Sequence, residues 1–344
     1  MHSFQETLHI DIPIIQAGMA GGITTPDLVA AVANTGALGT IGAGYMDETT
    51  LKEEIHQVKA LTEKPFAVNL FATNLEVYTT DTEDMQTFLN KFREELDMNR
   101  GSDLVKVKDY LQEKIVVILE ENIPIVSTAF GVLPAALISD LKSNCVKLIG
   151  MATNFEEAKQ LVDAGYDMIV AQGFEAGGHR GTFDVNKYPN GSDIDLMVLV
   201  QTFLENLSVP VIAAGGIHSK EQIHALFAMG VEGVQLGTKF LTAKEAGTND
   251  TYKKAVLNAK TNDTVITKAF SGRPARAIRN RFIEEVETSK LNIPAFPIQN
   301  AMTKDIRAAG KKFAVADFLS LWAGQGVGAI NREETVEEII LSLK

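Results

Sequence analysis

The chain has 344 residues, 45% of them hydrophobic and 22% charged, which fits one barrel-sized domain or two ordinary ones and excludes intrinsic disorder. With 32 basic against 44 acidic side chains the formal charge is -12, so neither nucleic acid nor an anionic membrane, both of which need a basic surface, is an expected partner. The one cysteine, Cys145, excludes an internal disulfide framework, the first thirteen residues lack the basic start and apolar core of a signal peptide, and no apolar run reaches membrane-spanning length, so the expected location is the cytoplasm.

In chain order, short apolar runs alternate with helical patterns. Residues 13–19 (PIIQAGM) form the first run, and a helix over 25–34 is started by Thr24-Thr25-Pro26-Asp27. Residues 38–44 (LGTIGAG) lead into a helix over 47–61, and 66–71 (FAVNLF) form the third run. The rhythm then breaks for about fifty charged, helix-prone residues, with Phe88, Phe92 and Leu96 at helical spacing, read as a helical excursion over about 74–121. Residues 123–130 precede a helix over 134–143, 147–153 precede one over 155–164, and 168–173 are the sixth run. Residues 209–216 precede a helix over 220–229, and 233–238 are the eighth run. Beyond Lys239 the alternation stops, so 241–320 are expected to form a smaller lobe over the mouth, and 321–344 to return to the barrel wall through a last helix.

Eight β-branched-rich runs between helices predict an α/β fold, a (β/α)8 TIM barrel over 1–240 with the excursion after strand three and the lobe after strand eight. An open doubly wound sheet would need a glycine-rich dinucleotide turn after an early strand, and Met19-Ala20-Gly21-Gly22 matches that poorly.

In a barrel the chemistry sits on the loops after the strands. The pieces Ala214-Gly215-Gly216-Ile217 and Gln235-Leu236-Gly237-Thr238 follow strands seven and eight, where glycine lets backbone approach a phosphate, although tight turns use glycine equally well. The segment Gln172-Gly173-Phe174-Glu175-Ala176-Gly177-Gly178-His179-Arg180-Gly181 sets one imidazole among four glycines on what reads as a flexible rim loop. Histidine is the side chain whose ordinary pKa suits proton exchange near neutrality, so His179 is the candidate acid or base. Glu175 either orients it or anchors the loop; His2, His9, His56 and His224 read as ordinary, and His218 lies near the strand-seven glycines. Asn69 inside strand three and Gln172 at the end of strand six place amides at depth, where a cofactor edge or a buried network must satisfy them. Ala17, Gly18 and Met19 close strand one with small groups suited to a flat ring. Arg273, Arg276, Arg279 and Arg281 form the densest basic cluster, read as a helix face paired with Glu284, Glu285 and Glu287 in preference to an anion site.

The start PIIQAGM, the loop EAGGHRG, the pair AAGGI and VQLGT, and the tail WAGQGVG at 322–328 together resemble class I nitronate monooxygenases, over nearly the whole chain. The EAGGHRG segment is the specific part; the Gly-Gly and Gln-Leu-Gly-Thr pieces recur in many FMN barrels. The resemblance implies FMN held by Asn69, Gln172, Gly177, Gly216, Gln235, Leu236, Gly237 and Thr238, with Ala17, Gly18, Met19, Gly178 and Gly215 adjoining, and His179 as the catalytic histidine. It implies O2-dependent oxidation of an alkyl nitronate, such as propionate 3-nitronate, to an aldehyde or oxo-acid plus nitrite, a detoxification. No metal set is assigned, and a homodimer is compatible with the sequence. The alternatives are an FMN- and NAD(P)H-dependent enoyl-acyl-carrier-protein reductase, which shares the Glu-Ala-Gly-Gly-His loop, and a non-catalytic flavin-binding module.

Overall fold

The computed structural model describes residues 3–344. Eight parallel strands form one sheet: β1 (Ile14–Gln16), β2 (Thr40–Gly42), β3 (Ala67–Phe71), β4 (Ile125–Ala129), β5 (Lys147–Ala152), β6 (Met168–Gln172), β7 (Val211–Ala214) and β8 (Gly233–Leu236). Neighbours in sequence are neighbours in the sheet, β8 pairs with β1, and a parallel bridge between Ile15 and Leu38 joins β1 to the start of β2. The sheet therefore curls into a barrel, as the eight runs predicted.

Alternation along each strand separates two cores. Ile15, Met168, Val170 and Ile212 point inward and fill the barrel with Phe4 and Leu8 of the first helix, Phe4–Leu8, which plugs the lower end. Ile14, Ile169, Ala171, Val211 and Ala213 point outward into the larger core beneath the helices. Those helices begin where their capping residues lie, one residue inside several of the expected starts. Thr25 caps Pro26–Asn34, Asp47 caps Glu48–Leu61, Asn154 caps Phe155–Asp163 and Ser219 caps Lys220–Met229, each accepting an N–H of the first turn. The last helix, Val336–Ser342, buries Val336, Ile339 and Ile340 in the same core as Leu28, Val29 and Val32.

The insertion after β3 differs from a purely helical excursion. It contains an antiparallel ribbon, Val77–Thr79 with Val105–Val107, around the helix Glu83–Glu95, while Leu111–Glu120 buries Ile115 and Ile118 as a wall helix of the barrel. The insertion also does not stand alone. Met85, Leu89 and Phe92 share a second core with Phe270, Phe282, Ile283, Met302, Ile306 and Phe318 of the segment after β8. Helical spacing announced an apolar face; its partner lies some 190 residues further along the chain (Phe92 to Phe282).

Candidate active site

The cavity opens at the C-terminal ends of the strands and encloses about 1380 Å³ of empty space, its mouth included. Every residue expected to hold a cofactor lines it: Ala17, Gly18, Met19, Asn69, Gln172, Gly177, Gly178, Gly215, Gly216, Gln235, Leu236, Gly237 and Thr238, with His179 beside them.

The loop after β6 owes its shape to its arginine. Arg180 is fully buried and donates to the carbonyls of Gly173, Gln172 and Ser192, folding the segment back on the strand end. Gln172 is engaged twice, donating to His179 O and accepting from Gly181 N. Glu175 accepts from Leu196 N at the start of the helix Leu196–Asn206, so it anchors the loop, and it is not among the hydrogen-bond partners of His179 in the described residues. His179 is not on a flexible loop: Gly178–His179 is a short strand paired with Ala275 and Arg276, extended by Arg180 N–H to Pro274 O. Gly177 is dictated by backbone approach, since a Cβ there would lie 2.3 Å from Gly324 N, and the tail glycines pack on this loop and on Gly216 in the same way.

His179 Nε2 lies 2.9 Å from Ser271 Oγ. The Ser271 hydroxyl, fully buried, donates to Arg273 O at 3.1 Å, so the bond to His179 is completed by Nε2–H and Nδ1 keeps its lone pair. Around the imidazole stand Phe130, Phe296 and Trp322 at centroid separations of 5.8, 6.0 and 5.2 Å, and Tyr45 and Phe71 continue the wall. Burial first, then the charges of Arg273 and Arg307, push His179 down to about 3. The ring is therefore a neutral imidazole at ordinary pH. Burial also pulls Arg273 down to about 10, leaving it charged, and lifts Tyr45 to about 12, leaving it a phenol.

The basic cluster needs correction. Arg273 and Arg276 are buried and on no helix face. The Arg273 guanidinium sits 4.0 Å over the Phe130 ring and donates to Thr182 O, and Arg276 lies in the strand Ala275–Ile278 and donates to Phe174 O. Only Arg281 pairs as expected, with Glu285 and also with Glu95. The turn Ser271-Gly272, where Gly272 has φ +79°, aims Ser271 and Arg273 into the site. Sequence reasoning missed Ser271, Phe130, Phe296 and Arg307 around His179, and Tyr45 in the wall behind them; the one signal was that Ser271 stands two residues before Arg273 and that Tyr45 and Phe130 lie on rim loops.

The residues fit a flavin. The slot between β1 and the later loops is lined by small and apolar groups, Asn69 Nδ2 is taken by Ser127 while its Oδ1 faces no protein donor among the described residues, and the Gln235 amide is uncommitted. At Gly237 a Cβ would meet only Ala17 and Met19 at ordinary contact distances of 3.6 and 3.7 Å, so the bare backbone leaves space toward the cavity that the protein itself does not use. Gly216 at φ +66° turns the β7 loop past His218, whose Nδ1 lies 2.9 Å from Gly216 O. The helix after β7 meets its own first N–H groups through Ser219 and Gln222, so the glycine loops, and not the helix end, are what faces the cavity.

The family model for nitronate monooxygenases matches residues 2–344. A probable nitronate monooxygenase of Staphylococcus aureus is 44% identical over 325 residues, covering 93% of this chain and 90% of the relative. Among solved structures, a nitroalkane oxidase from Streptomyces ansochromogenes superposes with a TM-score of 0.90 at 35% identity, covering 97% and 95% of the two chains. FabK from Thermotoga maritima superposes less closely, with a TM-score of 0.78 at 29% identity over 98% and 93%. The barrel is thus that of a family of flavin-dependent oxidoreductases, and the chain belongs to the nitronate monooxygenase family.

Proposed function

We propose that the enzyme uses FMN to oxidise alkyl nitronates with O2, giving an aldehyde or oxo-acid and nitrite. The observation that carries this reading is the buried His179, hydrogen-bonded to Ser271, walled by aromatic rings and acted on by the charges of Arg273 and Arg307, neither of which is in a salt bridge among the described residues. Such a site favours an anion over a neutral molecule, because two guanidinium groups act across a weakly screening, aromatic-walled cavity. FMN, when bound, supplies the electron acceptor for the nitronate. Asn69, Gln172, Gln235 and the glycine loops would hold it, and Thr238, whose Oγ accepts from Gly324 N, would keep the β8 loop in place. His179 orients the nitronate from above; its low basicity suits a substrate that arrives already deprotonated. The ring wall of Phe71, Phe130 and Phe296 excludes water from the reacting end.

The test is nitrite release and O2 uptake with propionate 3-nitronate by the purified flavoprotein. His179→Asn is expected to lower kcat/KM by about 10²-fold or more while flavin remains bound. Rapid anaerobic bleaching by NADH, with turnover of an enoyl thioester and none of the nitronate, would instead establish the reductase.

A further inference from the structure

A second cavity, about 2170 Å³ of empty space with its mouth included, adjoins the first and shares Ala20, Ile23, Tyr45 and Trp322 with it. Its wall is formed by the antiparallel ribbon after β3, the loop after β8 and the helix Lys304–Lys312. Neither a nitronate nor the ring of a flavin needs this chamber, since both have room in the first.

Its charge is opposite to that of the chain. Arg93, Lys106, Lys108, Lys114, Lys304, Arg307 and Lys311 line it; Arg93 holds the acid among the lining residues, Asp305, in a salt bridge of 2.8 Å, and Lys108 meets Glu113 at 3.5 Å. Lys106, Lys304 and Lys311 have no carboxylate partner among the described residues. Lys114 is 2% exposed, and its ammonium rests on the carbonyls of Ala43 and Gly44. Arg307 donates from Nη2 to Asn300 alone, and its buried Nε is unpartnered. Thr248, 6% exposed, brings a buried hydroxyl to the same wall with no partner. In a protein with a net charge of -12, five cations of one recess, Lys106, Lys114, Lys304, Arg307 and Lys311, thus have no carboxylate salt bridge among the described residues, and two of them are partly or wholly desolvated, an arrangement suited to a multiply charged anion. Lysine ammonium groups suit tetrahedral phosphate as point charges, and Tyr110, Tyr252 and Trp322 add aromatic surface for a ring.

We propose that this chamber binds an organic di- or polyphosphate of the nucleotide class, its phosphates on the lysines and its other end toward Tyr45 and Trp322 at the flavin cavity. The site is independent of which substrate the flavin oxidises. The test is calorimetric titration of the flavin-loaded enzyme with ADP, with adenosine and citrate as controls. Saturable binding of ADP that weakens with added salt is expected, with adenosine and citrate much weaker. The variant Lys106→Ala/Lys304→Ala/Lys311→Ala, which changes exposed side chains, should weaken ADP binding about tenfold or more, and the corresponding triple change to Arg should restore it. The proposal is overturned by no saturable heat at millimolar ADP, by citrate binding as tightly as ADP, by an Ala variant that binds like the parent, or by an Arg variant that fails as the Ala variant does.

Discussion

At the scale of single residues the properties of His179 come from its surroundings. Its pKa of about 3 against an ordinary 6.5 makes it a weaker base in the folded chain than in the unfolded one. Above 6.5 the ring is neutral in both states and costs nothing; below about 3 it is charged in both. Between them the unfolded chain binds the extra proton, so stability falls as pH drops from 6.5 toward 3. Urea midpoints at pH 7 and pH 4.5 should differ less in His179→Asn than in the parent; an equal difference would place the acid sensitivity elsewhere. The same depression predicts that kcat/KM for a preformed nitronate shows no inflection near pH 6.5, because that profile reports the free enzyme. Ser271→Ala tests the positioning of the ring. It removes the acceptor of Nε2–H, and kcat should fall about tenfold with flavin content unchanged, since Ser271 touches His179 and not the slot between the glycine loops.

Elements are positioned by close backbone approach as much as by apolar burial. At Gly39, entering β2, a Cβ would sit 2.2 Å from Val29 O, a carbonyl inside the helix Pro26–Asn34 that has no freedom to move. Gly39→Ala should therefore cost about 2–3 kcal/mol, read as a lowered urea midpoint, and shift the strand that borders Asn69. Contacts of this kind mark what could be read from the sequence. The eight strands, most of their helices and the rim loop with His179 were legible, because each is specified by a run of ten or so residues: apolar alternation, a capping side chain, a glycine-dense turn. The strand Gly178–His179 was not, because two residues flanked by glycine carry no pattern, and its pairing with Ala275 is made across 96 positions. Arg273 and Arg276 were misread for a related reason. Acids at 284, 285 and 287 follow them at a spacing that suits a helix, but the Ser271-Gly272 turn and the strand Ala275–Ile278 intervene and carry both guanidinium groups inward.

On the scale of the whole molecule, the site depends on two cores that meet at its rim. The barrel supplies the floor of the cavity. The second core, built from the insertion after β3 and the segment after β8, carries Ser271, Arg273, Phe296 and Arg307 over it. Phe92 is the joint: 2% exposed, it packs on Phe282 at 4.9 Å and on Phe318 at 5.7 Å, and Phe282 in turn stacks on Phe270 at 4.4 Å, next to Ser271 in sequence. Buried Arg93, the next residue, ties the same helix to Met302 O and Asp305. Phe92→Ala opens a cavity in that joint and should cost about 3–5 kcal/mol, concentrated in the upper layer because no barrel strand contributes to its core. Hydrogen exchange should then quicken across the helix Glu83–Glu95 and the helix Arg281–Thr288 while the amides of β4 to β7 keep their protection. Flavin should stay bound and turnover should fall, because the floor of the site survives and its roof loosens. Uniform acceleration of exchange through the barrel, with loss of flavin, would show instead that the two cores fold as one unit.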